Sequence, residues 1–206
     1  MEKYTFIHPT KSGGTALETF FSENYSDYIT GTGHENICKN NNRPIIIVRD
    51  VKERFISMYK YWKNGSTDCF KRDNLWKEKF KNTTITEFIN MIKNNDKNLY
   101  HDFTWQQHFD LTTNWLGCAN YENIIIIKYE KNLNSKIQKL LNLLKIPNKN
   151  IQVPIINKSC QIDLEYQFLF DDYNKFIDNF LEDYFKKDLE LINTIENNPE
   201  LFKLVI

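Results

Sequence analysis

Two short runs of nearly unbroken β-branched residues, Ile45-Ile-Ile-Val48 and Ile124-Ile-Ile-Ile127, most constrain what this chain can fold into. A strand with one face in water alternates apolar and polar side chains. A strand that is apolar at every position is covered on both faces. Each run is followed by apolar residues at helical spacing. From Val51, the residues Phe55, Met58, Tyr59 and Trp62 recur at i, i+3, i+4 and i+7. Between Asn132 and Lys145, Leu133, Ile137, Leu140, Leu141 and Leu144 point inward, and Pro147 is expected to stop that helix. Nearer the start, the apolar run Tyr4–His8 leads through a glycine-containing turn into a helical stretch, Thr15–Asn24, that aligns Leu17, Phe20 and Phe21. A short strand is expected at Asp27–Ile29. The C-terminal third, Leu164–Ile195, reads as helix, with Phe168, Tyr173, Phe176, Phe180 and Tyr184 on its buried side. Strands alternating with helices imply an α/β fold, with a central parallel sheet flanked by helices, formed by one domain over residues 1–206.

The 206 residues are 41% hydrophobic and 15% aromatic, enough to bury a core without disulfide or metal staples. Lys and Arg total 27, as do Asp and Glu, so the formal charge is zero. That balance argues against a general nucleic-acid binder, which carries a basic surplus. It leaves room for one focused anion site. The opening residues lack the pattern of a signal peptide, and the longest apolar runs fall far short of the ~20 residues that span a bilayer. The expectation is a soluble, cytoplasmic protein without a transmembrane segment. Cys38, Cys69, Cys118 and Cys160 are scattered with no C-x-x-C spacing, which points to free thiols and no metal site.

Open parallel sheets bind ligands at the carboxyl ends of their strands. The places to look are therefore the residues after His8, Thr30, Val48 and Tyr129. The first carries Pro9-Thr-Lys-Ser-Gly-Gly-Thr15 between strand and helix. Glycines let backbone N–H groups approach an anion, and a helix N-terminus adds about half a positive charge. Lys11 supplies an ammonium, and Ser12 and Thr15 supply hydroxyls. Lys11 precedes the glycines, so the G-x-x-x-x-G-K-[ST] pattern is absent. The alternative is a plain Gly-Gly turn beside a solvated lysine. The third place places Arg49 where the strand ends, followed by Ser57 two turns into the next helix. A guanidinium grips phosphate with two parallel hydrogen bonds. The alternative is that Arg49 pairs with Asp50 or another carboxylate. Arg54 reads as structural, reaching a carboxylate such as Asp50 one turn back.

Taken together, these two segments carry a resemblance. His8–Leu17 is similar to the "HIPKTGGTSL" loop of sulfotransferases that use 3′-phosphoadenosine-5′-phosphosulfate (PAPS), and Val48–Tyr59 is similar to their "VRDPVERFLSMY" segment. Lys128–Leu133, Asn157–Ser159 and Tyr184–Leu189 resemble later family segments more weakly, and Gly65–Asp102 has no counterpart. The subgroup resembled is the carbohydrate type. The resemblance implies a P-loop-like three-layer fold. It also implies that PAPS is the co-substrate, with no metal, and that a hydroxyl-bearing acceptor, a glycan, is the partner. Lys11, Ser12, Gly13, Gly14, Thr15 and Ala16 would hold the 5′-phosphosulfate, with Lys11 also catalytic. Arg49 and Ser57, closed over by Lys158 and Ser159, would hold the 3′-phosphate. The sequence departs from the family in having Pro9 one place early and Ala16 where a hydroxyl residue is usual.

Sulfuryl transfer to a hydroxyl needs a base. His34, in the Gly-rich segment Thr30–Asn36, is the leading candidate, and Glu35 is the second. His8, at the end of the first strand, reads as a packed or loop-bracing residue. The stretch Asn98–His108 mixes aromatics and amides in a way that suits a sugar, which makes His101, Trp105, Gln107 and His108 candidate acceptor contacts. The competing functions are a P-loop kinase, disfavoured by the missing G-K-[ST], and a non-catalytic nucleotide- or carbohydrate-binding module.

Overall fold

The structure, a computed structural model, describes residues 3–31, 43–64, 77–94, 112–116, 119–130, 132–154 and 165–206. In chain order the elements are β1 (Tyr4–Ile7), α1 (Gly14–Asn24), β2 (Ile29–Gly31), β3 (Arg43–Val48) and α2 (Val51–Asn64). They continue with α3 (Ile85–Lys93), α4 (Thr112–Leu116), β4 (Ile125–Lys128), α5 (Asn134–Leu143), α6 (Glu165–Tyr184), α7 (Lys186–Asn197) and β5 (Leu204–Val205). The strands form one parallel sheet in the order β2-β1-β3-β4-β5. Tyr4 pairs with Ile29 and Arg43, and Ile45 pairs with Ile125. This is a P-loop-like α/β architecture.

The β-branched runs are buried on both faces, as their pattern requires. Ile45, Ile47, Ile125 and Ile127 face a cluster containing Leu17, Phe20 and Phe21 of α1 and Ile137, Leu140 and Leu141 of α5. Their neighbours Ile46, Val48, Ile124 and Ile126 face Leu116 of α4 and Leu191 and Ile195 of α7. A further cluster joins Phe55, Met58, Tyr59 and Trp62 of α2 to Phe88 and Ile89 of α3 and Ile177 and Phe180 of α6.

Three expectations are corrected. The C-terminal helix is two helices, broken at Phe185. Phe176 and Phe180 pack on the α2 cluster, and after the break α7 carries Leu191 and Ile195 to the sheet while Leu189 and Ile192 stay on the α2 cluster. Phe168 and Tyr173 lie outside the described side chains. Helix α5 ends at Leu143, ahead of Pro147. Lys145 takes a left-handed conformation with φ 56°, its amide donates to Asn142 O, and the Ile146 amide donates to Leu141 O. That paired bonding is a Schellman stop. Lastly, β2 is shifted to Ile29–Gly31, and β5, which the sequence reading did not include, completes the sheet.

Candidate active site

The loop between β1 and α1 lies at the carboxyl edge of the sheet, beside the ends of β3 and β4. Its glycines are fixed by sterics. Gly13 has φ 84°, and a Cβ there would lie 2.6 Å from the Tyr129 ring. A Cβ on Gly14 would lie 1.9 Å from His8. His8 is buried beneath the loop, stacked on Phe6, with Nε2 3.2 Å from Glu18 Oε2. It braces the loop, as its position in the sequence suggests.

Three consecutive loop carbonyls, which would repel an anion if they faced it, are each engaged by a donor. The Ser12 hydroxyl donates to Pro9 O at 2.5 Å, Arg54 Nε donates to Thr10 O at 3.0 Å, and Arg49 Nη1 donates to Lys11 O at 3.2 Å. Helix α1 begins directly afterwards, with no side-chain cap on its N-terminus and no acidic residue in its first turn. Its amide end and partial positive charge are thus not neutralised by its own sequence. The buried Ser12 hydroxyl is a brace here rather than the outward donor expected from sequence. Thr15 is exposed and Ala16 half-buried at the first turn.

Arg49 stands at the end of β3, with its side chain 18% exposed. Besides the Lys11 carbonyl it contacts Glu53 Oε2 at 3.3 Å and lies 4.4 Å over the Tyr129 ring. It does not pair with Asp50, whose Oδ1 accepts from the Glu53 amide and caps α2. Ser57 is half-buried on α2.

Arg54 is structural, but its carboxylate partner differs from the one expected. The Arg54 side chain is buried, with Nη1 3.3 Å from Asp188 Oδ2 and 3.4 Å from Thr112 Oγ1. Asp188 in turn accepts from the Thr112 and Thr113 amides. Asp50 instead accepts from the Glu53 amide at the start of α2.

The structure adds three residues that the sequence reading did not select. Tyr129 wedges between Gly13 and Arg49. Lys60, one turn beyond Ser57, is held below its ordinary pKa first by burial and then by the Arg49 cation. Tyr61 offers its ring to the Lys11 ammonium at 3.9 Å. The sequence signal for Lys60 and Tyr61 is their helical spacing from Glu53 and Ser57 on α2.

His34 and Glu35, Lys158 and Ser159, and His101, Trp105, Gln107 and His108 lie outside the described residues, as do all four cysteines. Among the described residues no group of three or more His, Cys, Asp or Glu side chains is placed to hold a metal ion, and no helix is long and apolar enough to cross a membrane.

A parallel α/β sheet with a glycine loop and two cationic side chains at its carboxyl edge is an arrangement of the P-loop-like kind. The family model of the sulfotransferase domain matches residues 29–179, more than half of the chain, and the chain belongs to that family. It is therefore a transferase of the sulfuryl-transfer class. The match includes Arg49, Ser57 and Tyr129 and begins after the β1–α1 loop, so the family assignment is independent of the loop geometry. No curated protein matches the chain.

Proposed function

We propose that the chain is a single-domain sulfotransferase that moves the sulfuryl group of PAPS to a hydroxyl of a carbohydrate. The observation that carries the reading is the engagement of the Pro9, Thr10 and Lys11 carbonyls by donors, beside the uncapped start of α1. An anion placed there meets amides and cations rather than carbonyl oxygens, a preorganised electrostatic effect. In this reading the amides of Gly13, Gly14, Thr15 and Ala16 hold the 5′-phosphosulfate. Arg49, with Ser57 and then Lys158 and Ser159, holds the 3′-phosphate. The acceptor oxygen attacks sulfur as the bond from sulfur to the bridging oxygen breaks, and the 3′,5′-diphosphate leaves. Lys11 offsets the charge that develops on the bridging oxygen. His34, with Glu35 as second candidate, takes the acceptor proton. His101, Trp105, Gln107 and His108 contact the sugar.

An acceptor screen with labelled PAPS over glycans, peptides and small phenols tests this directly. Labelled glycan is the expected result. Stabilisation by 3′,5′-diphosphoadenosine without any labelled product would point to a non-catalytic binding module. Stabilisation by Mg-ATP alone would point to a kinase. Removing the base costs on the order of 10²–10⁴-fold in rate. A His34→Ala enzyme at full turnover would pass the role to Glu35.

A further inference from the structure

Lys11 is held at both ends. Its backbone has φ 60°, a left-handed conformation that costs a non-glycine residue roughly 1–2 kcal/mol. Its carbonyl accepts from Arg49 Nη1 at 3.2 Å. Its ammonium lies 3.9 Å over the centroid of the Tyr61 ring, within the range where the ring quadrupole attracts a cation. Tyr61 is half-buried on α2 and meets the buried Trp62 edge-on at 6.1 Å, so the ring is itself backed by the protein. A lysine side chain otherwise spreads over rotamers worth about 2 kcal/mol of entropy. A fixed ring narrows that spread before any anion arrives. An ammonium over a ring face also keeps N–H groups directed away from the ring. The contact favours the protonated form, the only form that can offset charge on a departing oxygen.

We propose that Tyr61 is a positioning residue for Lys11, and that its ring face keeps the ammonium charged and oriented for sulfuryl transfer. The proposal rests on the reading that Lys11 acts at the bridging oxygen. It goes beyond the family assignment, because it makes a side chain that need not touch the co-substrate set the state of one that does.

The test keeps the shape of the ring and changes its electrons. Tyr61→Phe is followed by mono-, tri- and pentafluorinated phenylalanine at position 61, and kcat for transfer from PAPS is followed against pH. The Phe protein, which keeps the ring face, is the reference for the fluorinated series. Successive fluorination should move the alkaline limb of kcat to lower pH, and kcat on that limb should fall by about 3- to 30-fold across the series, the range of a cation–ring contact. KM for PAPS should change less than kcat. A purely structural role would leave the pH profile unmoved. Titration of the Lys11 Nζ by nuclear magnetic resonance in the same proteins reads the contact without activity, and the Lys11 pKa should fall with fluorination. A Lys11 pKa and a kcat profile indifferent to fluorination would overturn the proposal. A Lys11 pKa that falls in proteins that transfer no sulfate, the parent included, would instead retire the sulfotransferase reading of Lys11.

Discussion

A methyl group at Gly14 would sit inside the His8 ring, and one at Gly13 would both meet Tyr129 and require a left-handed L-residue. The two glycines look equivalent in the sequence but are constrained by different neighbours. Gly14→Ala should destabilise the protein by about 1–3 kcal/mol through overpacking and should abolish thermal stabilisation by 3′,5′-diphosphoadenosine. A variant still stabilised by that ligand would separate the loop from the anion site. At Lys60 the argument is electrostatic. Its charged form is disfavoured in the fold by burial and by Arg49. The unfolded chain therefore binds more protons in the alkaline window below the ordinary lysine value, and stability rises with pH across that window. Lys60→Met should raise the melting temperature of the ligand-free protein at neutral pH, flatten that alkaline rise, and weaken binding of the diphosphate. A melting temperature that falls would show that Lys60 is held by a favourable partner instead. The sequence shows Lys60 and Tyr61 only as polar positions on an amphipathic helix. What they face is set by the loop that packs across them.

The elements follow their local signals closely, and the exceptions have local causes. Helix α3 starts at Thr84, whose hydroxyl accepts from the Glu87 amide while Glu87 reaches back to the Thr84 amide, a reciprocal capping box. Those bonds from Thr84 hold the Glu87 carboxyl below its ordinary value. Their contribution is present above that value and lost as pH falls through the lowered one. Helix α5 ends on an exposed lysine in a conformation that glycine adopts without strain. Lys145→Gly should raise stability by about 1 kcal/mol, read by urea denaturation, with sulfuryl transfer unchanged. A loss of stability would mean that the lysine side chain does more at that turn than its exposure suggests. Apolar spacing located α1, α2 and α5 because each buries one face. It could not locate the break at Phe185, because helical spacing continues on both sides.

Across the whole molecule, the Arg54–Asp188 pair ties the loop to the far end of the chain. Arg54 holds the Thr10 carbonyl, Asp188 holds the amides that open α4, and the two meet in the interior. Breaking a buried pair from one side costs about 3–5 kcal/mol. Asp188→Ala and Arg54→Met should each fall in that range by urea denaturation. The double variant should cost less than the sum, since both remove one network. Additive losses would show that the two side chains stabilise the fold independently. Strands β3 and β4 were legible in the sequence, because a strand buried on both faces must be apolar at every position and a helix on its surface must be apolar on one side, whereas β2, half-exposed, lies two residues beyond its expected place. Those requirements are local, and they determined the α/β class, the parallel sheet, and the edge where Lys11 and Arg49 stand. The partner of Arg54 was not legible. It lies 134 residues away, and nothing local distinguishes Asp188 from the nearer Asp50. Only the tertiary structure decided which carboxylate meets Arg54, which donors engage the Pro9, Thr10 and Lys11 carbonyls, and which ring came to rest under the lysine.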